Sequence, residues 1–193
     1  MNYSEKIVAY DNTITSENLT RTYDYITEVP AWHFAHITDS NDREEAPNPA
    51  IYCIQNGVVD TRTPQEVQDY ALSISRIHNE ALQMWRGVSI KKIRRLNFQI
   101  TFEGHHGKVH TDALEEEGCV TAMTFLSPVW FPEWGGDFKY QYDEDTWLSL
   151  PYEPGKTILF DSANKHTGVG AAVGSTYARL TCVGLYSVDK KLN

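Results

Sequence analysis

Cysteine is scarce and odd in number: Cys53, Cys119 and Cys182 stand alone, and no two of them form a Cys-x-x-Cys pair. That argues against a disulfide framework and against a structural zinc site, and leaves reduced, buried thiols as the expectation. Long apolar runs are absent too; no stretch approaches the roughly 20 residues needed to cross a bilayer, which excludes a helical membrane span. The N-terminal Met1-Asn2-Tyr3-Ser4-Glu5-Lys6 lacks a basic segment followed by an apolar one, so no secretory signal is expected and the cytoplasm is the default compartment. Positive charge is in short supply. Seventeen Lys and Arg face 26 Asp and Glu, a formal net charge of −9, which disfavours a nucleic-acid polymer as partner because such binding draws on neutralised phosphates. No repeat and no low-complexity segment is visible, so the chain is neither a solenoid nor an array.

What is present is an ordinary globular composition, 41% hydrophobic and 22% charged over 193 residues, enough for one domain with a sizeable core. Helical signals are confined to the first half. From Thr63 the order Thr-Pro-Gln-Glu places a capping residue, a proline at the first helical position and Glu66 three residues after the cap. Val67, Tyr70, Ala71, Ile74, Ile77, Ala81, Leu82 and Trp85 then recur at spacings of three and four before Gly87, which predicts a helix whose apolar stripe packs on a sheet. A second helix is expected over Ser16 to Glu28, with Leu19, Tyr23 and Ile26 on one face. The stretch from Asp39 to Ala50 has no periodicity and reads as a mobile loop.

After Gly87 the pattern changes to short β-rich runs separated by turn residues: Ile90–Phe102, Cys119–Leu126, Gly136–Tyr142, Thr146–Leu150, Thr157–Phe160 and Arg179–Val188. In the first of these Leu96, Phe98, Ile100 and Phe102 alternate with Asn97, Gln99 and Thr101, giving one apolar and one polar face. Strands preceded by helices, without βαβ alternation, predict a mainly β fold with supporting helices, an antiparallel jelly-roll or barrel. In this reading residues 1–193 form a single domain, with helical support and variable loops over 1–89 and the jelly-roll core over 90–188.

The segment Gly107-Lys108-Val109-His110-Thr111-Asp112 puts an imidazole and a carboxylate two residues apart, hence on one side of an extended chain. His-x-Asp alone is weak. A further histidine, His166, follows the apolar run Thr157–Phe160, and two histidines with one carboxylate on one face are the donor set of non-haem Fe(II) oxygenases.

With these residues in view, the chain resembles the 2-oxoglutarate/Fe(II)-dependent dioxygenases of the prolyl 4-hydroxylase-like group. His110-Thr111-Asp112, the strand Val120–Leu126, Gly135-Gly136-Asp137, Pro154-Gly155, His166 and Arg179 occur in the family's order and at fitting intervals, over about half of the chain. The resemblance implies a double-stranded β-helix, a cupin-like jelly-roll, with His110, Asp112 and His166 as ligands of Fe(II) and as the catalytic centre. It further implies that 2-oxoglutarate and O2 are consumed, with succinate and CO2 as co-products and hydroxylation of an unactivated C–H as the outcome. The substrate is then a small molecule or a peptide side chain. Arg179 suits the distal carboxylate of 2-oxoglutarate, since a planar guanidinium binds a carboxylate through two parallel hydrogen bonds; Thr181 can face the same way. The family's further pocket residue on the strand before His-x-Asp has its counterparts in Asn97, Gln99 and Thr101, with Asn97 preferred. No tyrosine lies on that polar face.

Other residues read more plainly. His105 and His106 sit between glycines and suit a turn. His33, His36 and His78 read as ordinary polar or half-buried residues. Trp130, Phe131 and Trp134 either line a substrate mouth or fill the core, and Glu115-Glu116-Glu117 reads as a solvated loop. The basic run Lys91-Lys92-Ile93-Arg94-Arg95 reads as charge that protects an exposed strand. Two rival functions stay open: a non-catalytic, cupin-like protein that binds a metal and a small molecule, and a dioxygenase that oxidises a nucleotide or nucleobase. One consequence is checked directly by thiol titration after denaturation without reductant, which should find all three cysteines; recovery of one alone would mean an intramolecular disulfide.

Overall fold

The computed structural model describes residues 5–34, 49–172 and 174–189. Its elements run β1 (Ile7–Tyr10), α1 (Ser16–Glu28), β2 (His33–Phe34), β3 (Pro49–Gln55), β4 (Val58–Val59), α2 (Gln65–Arg86), β5 (Ile90–Thr101), β6 (Cys119–Phe125), β7 (Phe138–Gln141), β8 (Trp147–Leu150), β9 (Thr157–Asp161), β10 (His166–Gly168) and β11 (Arg179–Val188). A major sheet has the order β1-β9-β6-β11-β5-β3-β2, with β4 paired to β3, and a minor sheet has the order β10-β7-β8. Every pairing is antiparallel. The architecture is the expected mainly β jelly-roll with two supporting helices.

Because side chains alternate along each strand, the major sheet has two faces with different neighbours. One face carries Leu96, Phe98, Leu180 and Cys182, packed against Leu19 and Ile26 of α1 and Val67, Ala71 and Ile74 of α2. The other turns inward to the minor sheet, where Met123, Phe125, Ile158, Phe160 and Val183 meet Phe138 and Tyr140. The polar residues of β5 share this inward face.

Several local expectations need correction. The long helix begins at Gln65, with Pro64 in the capping position and no side-chain cap; the Thr63 hydroxyl instead donates to the Tyr52 carbonyl at 2.6 Å, tying the helix start to β3. The loop expected over Asp39 to Ala50 ends early, since Pro49 and Ala50 already belong to β3; positions 39–48 lie outside the described residues, as does His36. Strand β5 lies inside the sheet, between β11 and β3, but β3 pairs only with Leu96, Asn97, Phe98 and Gln99; along the basic run β11 is the ladder partner on one side, and on the other the Gly57 N–H donates to the Arg94 carbonyl at 2.8 Å. The first 89 residues supply four strands as well as helices. The signal for two of them was legible, because Asn56-Gly57, with φ of 53° and 77°, joins Ile51–Ile54 to Val58-Val59 as a tight hairpin. All three cysteines are free and buried. Among the described residues no helix is long and apolar enough to cross a membrane.

His78 is fully buried under α2 rather than half-exposed. Its Nδ1 lies 2.6 Å from the Tyr186 hydroxyl and its Nε2 lies 2.9 Å from Thr124 Oγ1. Gly184 makes the arrangement possible, because a Cβ there would fall on the Tyr186 hydroxyl. Burial lowers the His78 pKa to about 3, below the ordinary value of about 6.5 that the unfolded chain retains. The unfolded state therefore binds a proton that the folded state refuses, and stability present above pH 6.5 is lost as the pH falls toward 3. The slope of unfolding free energy against pH should be steeper for wild type than for His78→Gln across this window, by up to about 1.4 kcal/mol per pH unit. Denaturant titrations at pH 4, 5, 6 and 7 would measure both; equal slopes would disprove a neutral buried imidazole.

Candidate functional site

His110 and His166 are brought together by backbone pairing. His110 donates its N–H to the His166 carbonyl at 3.0 Å and His166 returns the bond at 2.9 Å, so the two residues are directly opposite and point to one side. Their ring centroids lie 4.4 Å apart. Two residues on, the Asp112 N–H donates to the Ser162 carbonyl at 2.9 Å and fixes the carboxylate beside them. One ligand atom from each of His110, Asp112 and His166 lies within 4.8 Å of the others.

The tautomers follow from the partners. His110 Nδ1 lies 2.9 Å from the Lys108 carbonyl and His166 Nδ1 lies 2.9 Å from the Asn164 carbonyl; a carbonyl only accepts, so each Nδ1 carries the proton and each Nε2 offers a lone pair. His166 Nε2 is 3.3 Å from Asp112 Oδ2, and His110 Nε2 is 3.8 Å from Oδ1. Burial and the neighbouring His166 lower the His110 pKa, favouring the neutral form that binds metals. Burial opposes the charge on Asp112, but Arg95 and His166 together more than offset it and hold the carboxyl below the ordinary range. Three electron-pair donors converging on one point fit a divalent cation.

Asp112 is held from both sides. Arg95 donates to Oδ1 at 2.6 Å and the Thr121 hydroxyl donates to Oδ2 at 2.8 Å. Neither partner was singled out from the sequence. For Arg95 the signal was its parity with Asn97, since residues two apart on a strand share a face.

The register of β11 on β5 gathers the remaining candidates. Arg179 is paired with Thr101, Thr181 with Gln99, Val183 with Asn97 and Leu185 with Arg95, so all four pairs face the interior. Arg179 is 3% exposed, Thr181 1% and Asn97 0%. Arg179 Nε donates to the Gly136 carbonyl at 2.8 Å, and its guanidinium lies over the rings of Tyr152 and Phe125, at 5.2 and 5.5 Å from their centroids. Gly136 has φ of 81°, and a Cβ there would come within 2.8 Å of Trp130, which explains the second glycine of the turn. Arg179 has no carboxylate within ion-pairing distance among the described residues. Its second terminal nitrogen, the Thr181 hydroxyl and both amide atoms of Asn97 are buried without hydrogen-bond partners. Burial lowers the Arg179 pKa, the mark of a cation short of counter-charge. Unpaired buried polar groups are costly, and three of these atoms, Arg179 Nη2, Thr181 Oγ1 and Asn97 Nδ2, can donate to an anionic, oxygen-rich ligand, while Asn97 Oδ1 only accepts. Gln99 is half-buried on the same face.

The other candidates separate cleanly. Trp130 belongs to the interior core and its indole N–H donates to the Gly135 carbonyl, while Phe131 is exposed. His106 Nδ1 accepts from the Gly170 N–H at 3.0 Å, a loop-fixing bond, and neither it nor His105 joins the metal-ligating group. Glu117 pairs with Arg94 at 2.6 Å.

The fold recurs in solved structures. The chain is similar to a prolyl-4-hydroxylase from Pseudomonas putida, with a TM-score of 0.68 at 13% identity over 94% of this chain and 92% of that one. The fold of the 2-oxoglutarate/Fe(II) oxygenases is shared by this chain. An oxidoreductase of the 2OG-Fe(II) oxygenase family from Burkholderia pseudomallei matches with a TM-score of 0.70 at 14% identity, over 96% and 89% of the two chains. A Trichoplax adhaerens prolyl hydroxylase, solved with a hypoxia-inducible-factor peptide, matches with a TM-score of 0.69 at 15% identity, over 94% and 83%. No protein-family model and no curated protein sequence matches the chain. The likeness lies in the backbone.

Removing one donor should dismantle the metal site. Asp112→Ala and His166→Ala are expected to weaken Co(II) or Mn(II) binding by at least about a hundredfold, beyond the effect typical of partners that only support a ligand. Isothermal titration measures this, with circular dichroism as the control for folding; wild-type affinity in either variant would refute the assignment.

Proposed function

We propose that the protein is a 2-oxoglutarate-dependent Fe(II) dioxygenase that hydroxylates an unactivated C–H bond of a small molecule or a peptide side chain. The observation that carries this reading is the buried guanidinium of Arg179, unpaired by any carboxylate among the described residues, on the same interior face as the residues that hold Asp112. A jelly-roll that binds a metal alone has no need of such a cation at that place, and succinate release separates an oxygenase from a protein that only binds an anion. The similar structures include a prolyl hydroxylase holding a peptide and a carbocyclase from nogalamycin biosynthesis, so both substrate classes stay open.

In this reading His110, Asp112 and His166 hold Fe(II) through two neutral imidazoles and one carboxylate, a donor set that leaves coordination positions free. Arg179 and Thr181 bind the distal carboxylate of 2-oxoglutarate, with Asn97 donating farther along the same face and Gln99 bordering it. Bound there, the iron and its co-substrate supply the oxidising chemistry, with one oxygen atom of O2 entering the substrate and the other entering succinate as CO2 leaves. The chain's own work is to orient and to exclude water. Phe125 and Tyr152 keep solvent from the guanidinium, which strengthens its pull on an anion. The lone pairs of His110 and His166 stay aimed because the Lys108 and Asn164 carbonyls hold their Nδ1 protons.

Arg179→Ala should weaken 2-oxoglutarate binding by at least about thirtyfold, from a cost of roughly 2–5 kcal/mol for removing one partner of a buried charge pair. Metal affinity should change far less, and Arg179→Lys should fall between, keeping charge without the planar fork. The measurement is an anaerobic titration of 2-oxoglutarate into the Fe(II) protein. Equal binding by wild type and Arg179→Ala would exclude this pocket, and a wild type that neither binds 2-oxoglutarate nor releases succinate would leave the sensing role.

A further inference from the structure

The charged side chain that the proposed reaction leaves unexplained is Arg95. Its presence in the interior is the work of a bulge. Along β11, Leu185 is paired with Arg95 but Tyr186 with Ile93, so Arg94 is an extra residue in β5. Bulges of this kind re-aim side chains and concentrate beside functional sites. Ile93 packs with the apolar residues on the helix-covered face. In an unbroken ladder that placement would send Arg95 and Asn97 to the same face, because a slip of one residue exchanges the two faces. The extra residue at 94 restores both to the interior.

There Arg95 meets Asp112. Its terminal nitrogen is 2.6 Å from Oδ1, while Thr121 holds Oδ2 at 2.8 Å. Each carboxylate oxygen thus already accepts one bond from a different strand, and the carboxylate plane is fixed. A carboxylate that ligates through both oxygens takes two positions around a metal ion; one whose Oδ1 is engaged by a guanidinium offers one. We propose that Arg95 is a positioning residue that restricts Asp112 to ligation through a single oxygen and so keeps a coordination position open for the anionic co-substrate. The inference rests on the reading of His110, Asp112 and His166 as the metal site. Simple electrostatics acts in the same direction, since a fixed positive charge beside the site repels a divalent cation and attracts a dianion. Arg95 Nε is buried and without a hydrogen-bond partner among the described residues, so the guanidinium keeps a further donor in the interior.

A purely structural ion pair and a positioning residue differ in what its removal does. Arg95→Met and the conservative Arg95→Lys are compared with wild type, using Co(II) as the probe metal and 2-oxoglutarate as the probe anion. Isothermal titration gives the two affinities, the visible d–d absorption of Co(II) reports its coordination, and melting curves report folding. The expected result for Arg95→Met is Co(II) affinity equal to or above wild type, because a fixed positive charge beside the cation is removed, a changed d–d spectrum, and 2-oxoglutarate bound at least about tenfold more weakly, because the dianion loses that same charge. Arg95→Lys should shift both in the same direction by less, and it carries the test if Arg95→Met does not fold. Weaker Co(II) binding, or 2-oxoglutarate affinity within tenfold of wild type in Arg95→Met, overturns the proposal. If wild type itself takes up no Co(II), the reading of the metal site falls with it; if wild type binds both probes and only the variant result disagrees, the role of Arg95 alone is lost.

Discussion

The antiparallel register of β5 on β11 governs nearly everything else in this protein. These strands lie at the middle of the major sheet, with α1 and α2 on one side and the minor sheet on the other. Their pairing decides which residues meet each environment. Leu96, Phe98, Leu180 and Cys182 go to the helices; Arg95, Asn97, Arg179 and Thr181 go to the interior. Exchanging the faces would bury two guanidiniums against the helices and turn the apolar residues toward the site, a loss far larger than the few kilocalories by which a domain is stable. Register is therefore strongly specified, and the polar lining of the interior follows from it.

That lining is incompletely satisfied by the protein itself. Four buried atoms on Arg179, Thr181 and Asn97 lack partners, and Arg95 Nε adds a fifth. Folding tolerates a few such groups, and they tend to gather where a ligand is to complete them. At the other end of the same face the Asp112 carboxylate is held in place: Asp112 is engaged by Arg95 and Thr121, and Thr121 is linked to Ser162 at 2.9 Å. The contrast separates the two tasks of the site. Under the proposed function, the end with His110, Asp112 and His166 is built rigidly, so that donor atoms need no rearrangement, while the far end keeps its hydrogen-bonding capacity for a ligand with carboxylate oxygens.

The helix-covered face solves a different problem. His78 lies at the centre of the α2 stripe, and its two ring nitrogens are taken by Tyr186 and Thr124, with Thr124 bonded on to Thr157 at 2.7 Å. This network joins α2 to β6, β9 and β11 through polar contacts that have one arrangement, whereas apolar packing alone would leave the helix freer to slide. It lies behind the strands that position Asp112 and Arg179, and steadies them from the far side.

The sequence by itself determined the local features: the helix Ser16–Glu28, the β-rich second half, the polar face of Asn97 and Gln99, and the ordered series His110, Asp112, His166 and Arg179. These are legible because side-chain periodicity and fixed short spacings are properties of neighbours along the chain. It did not reveal β3 as a partner of β5, the burial of His78, or Arg95 and Thr121 as partners of Asp112. Each of these depends on pairing between segments remote in sequence. Residue 95 and residue 112 approach only because a single extra residue at position 94 resets the alternation of β5, and the reciprocal backbone bonds of His110 with His166 are made across 56 positions. Whether a basic residue shields an edge or orients a ligand is decided by which strand lies beside it, and only the assembled sheet fixes that neighbour.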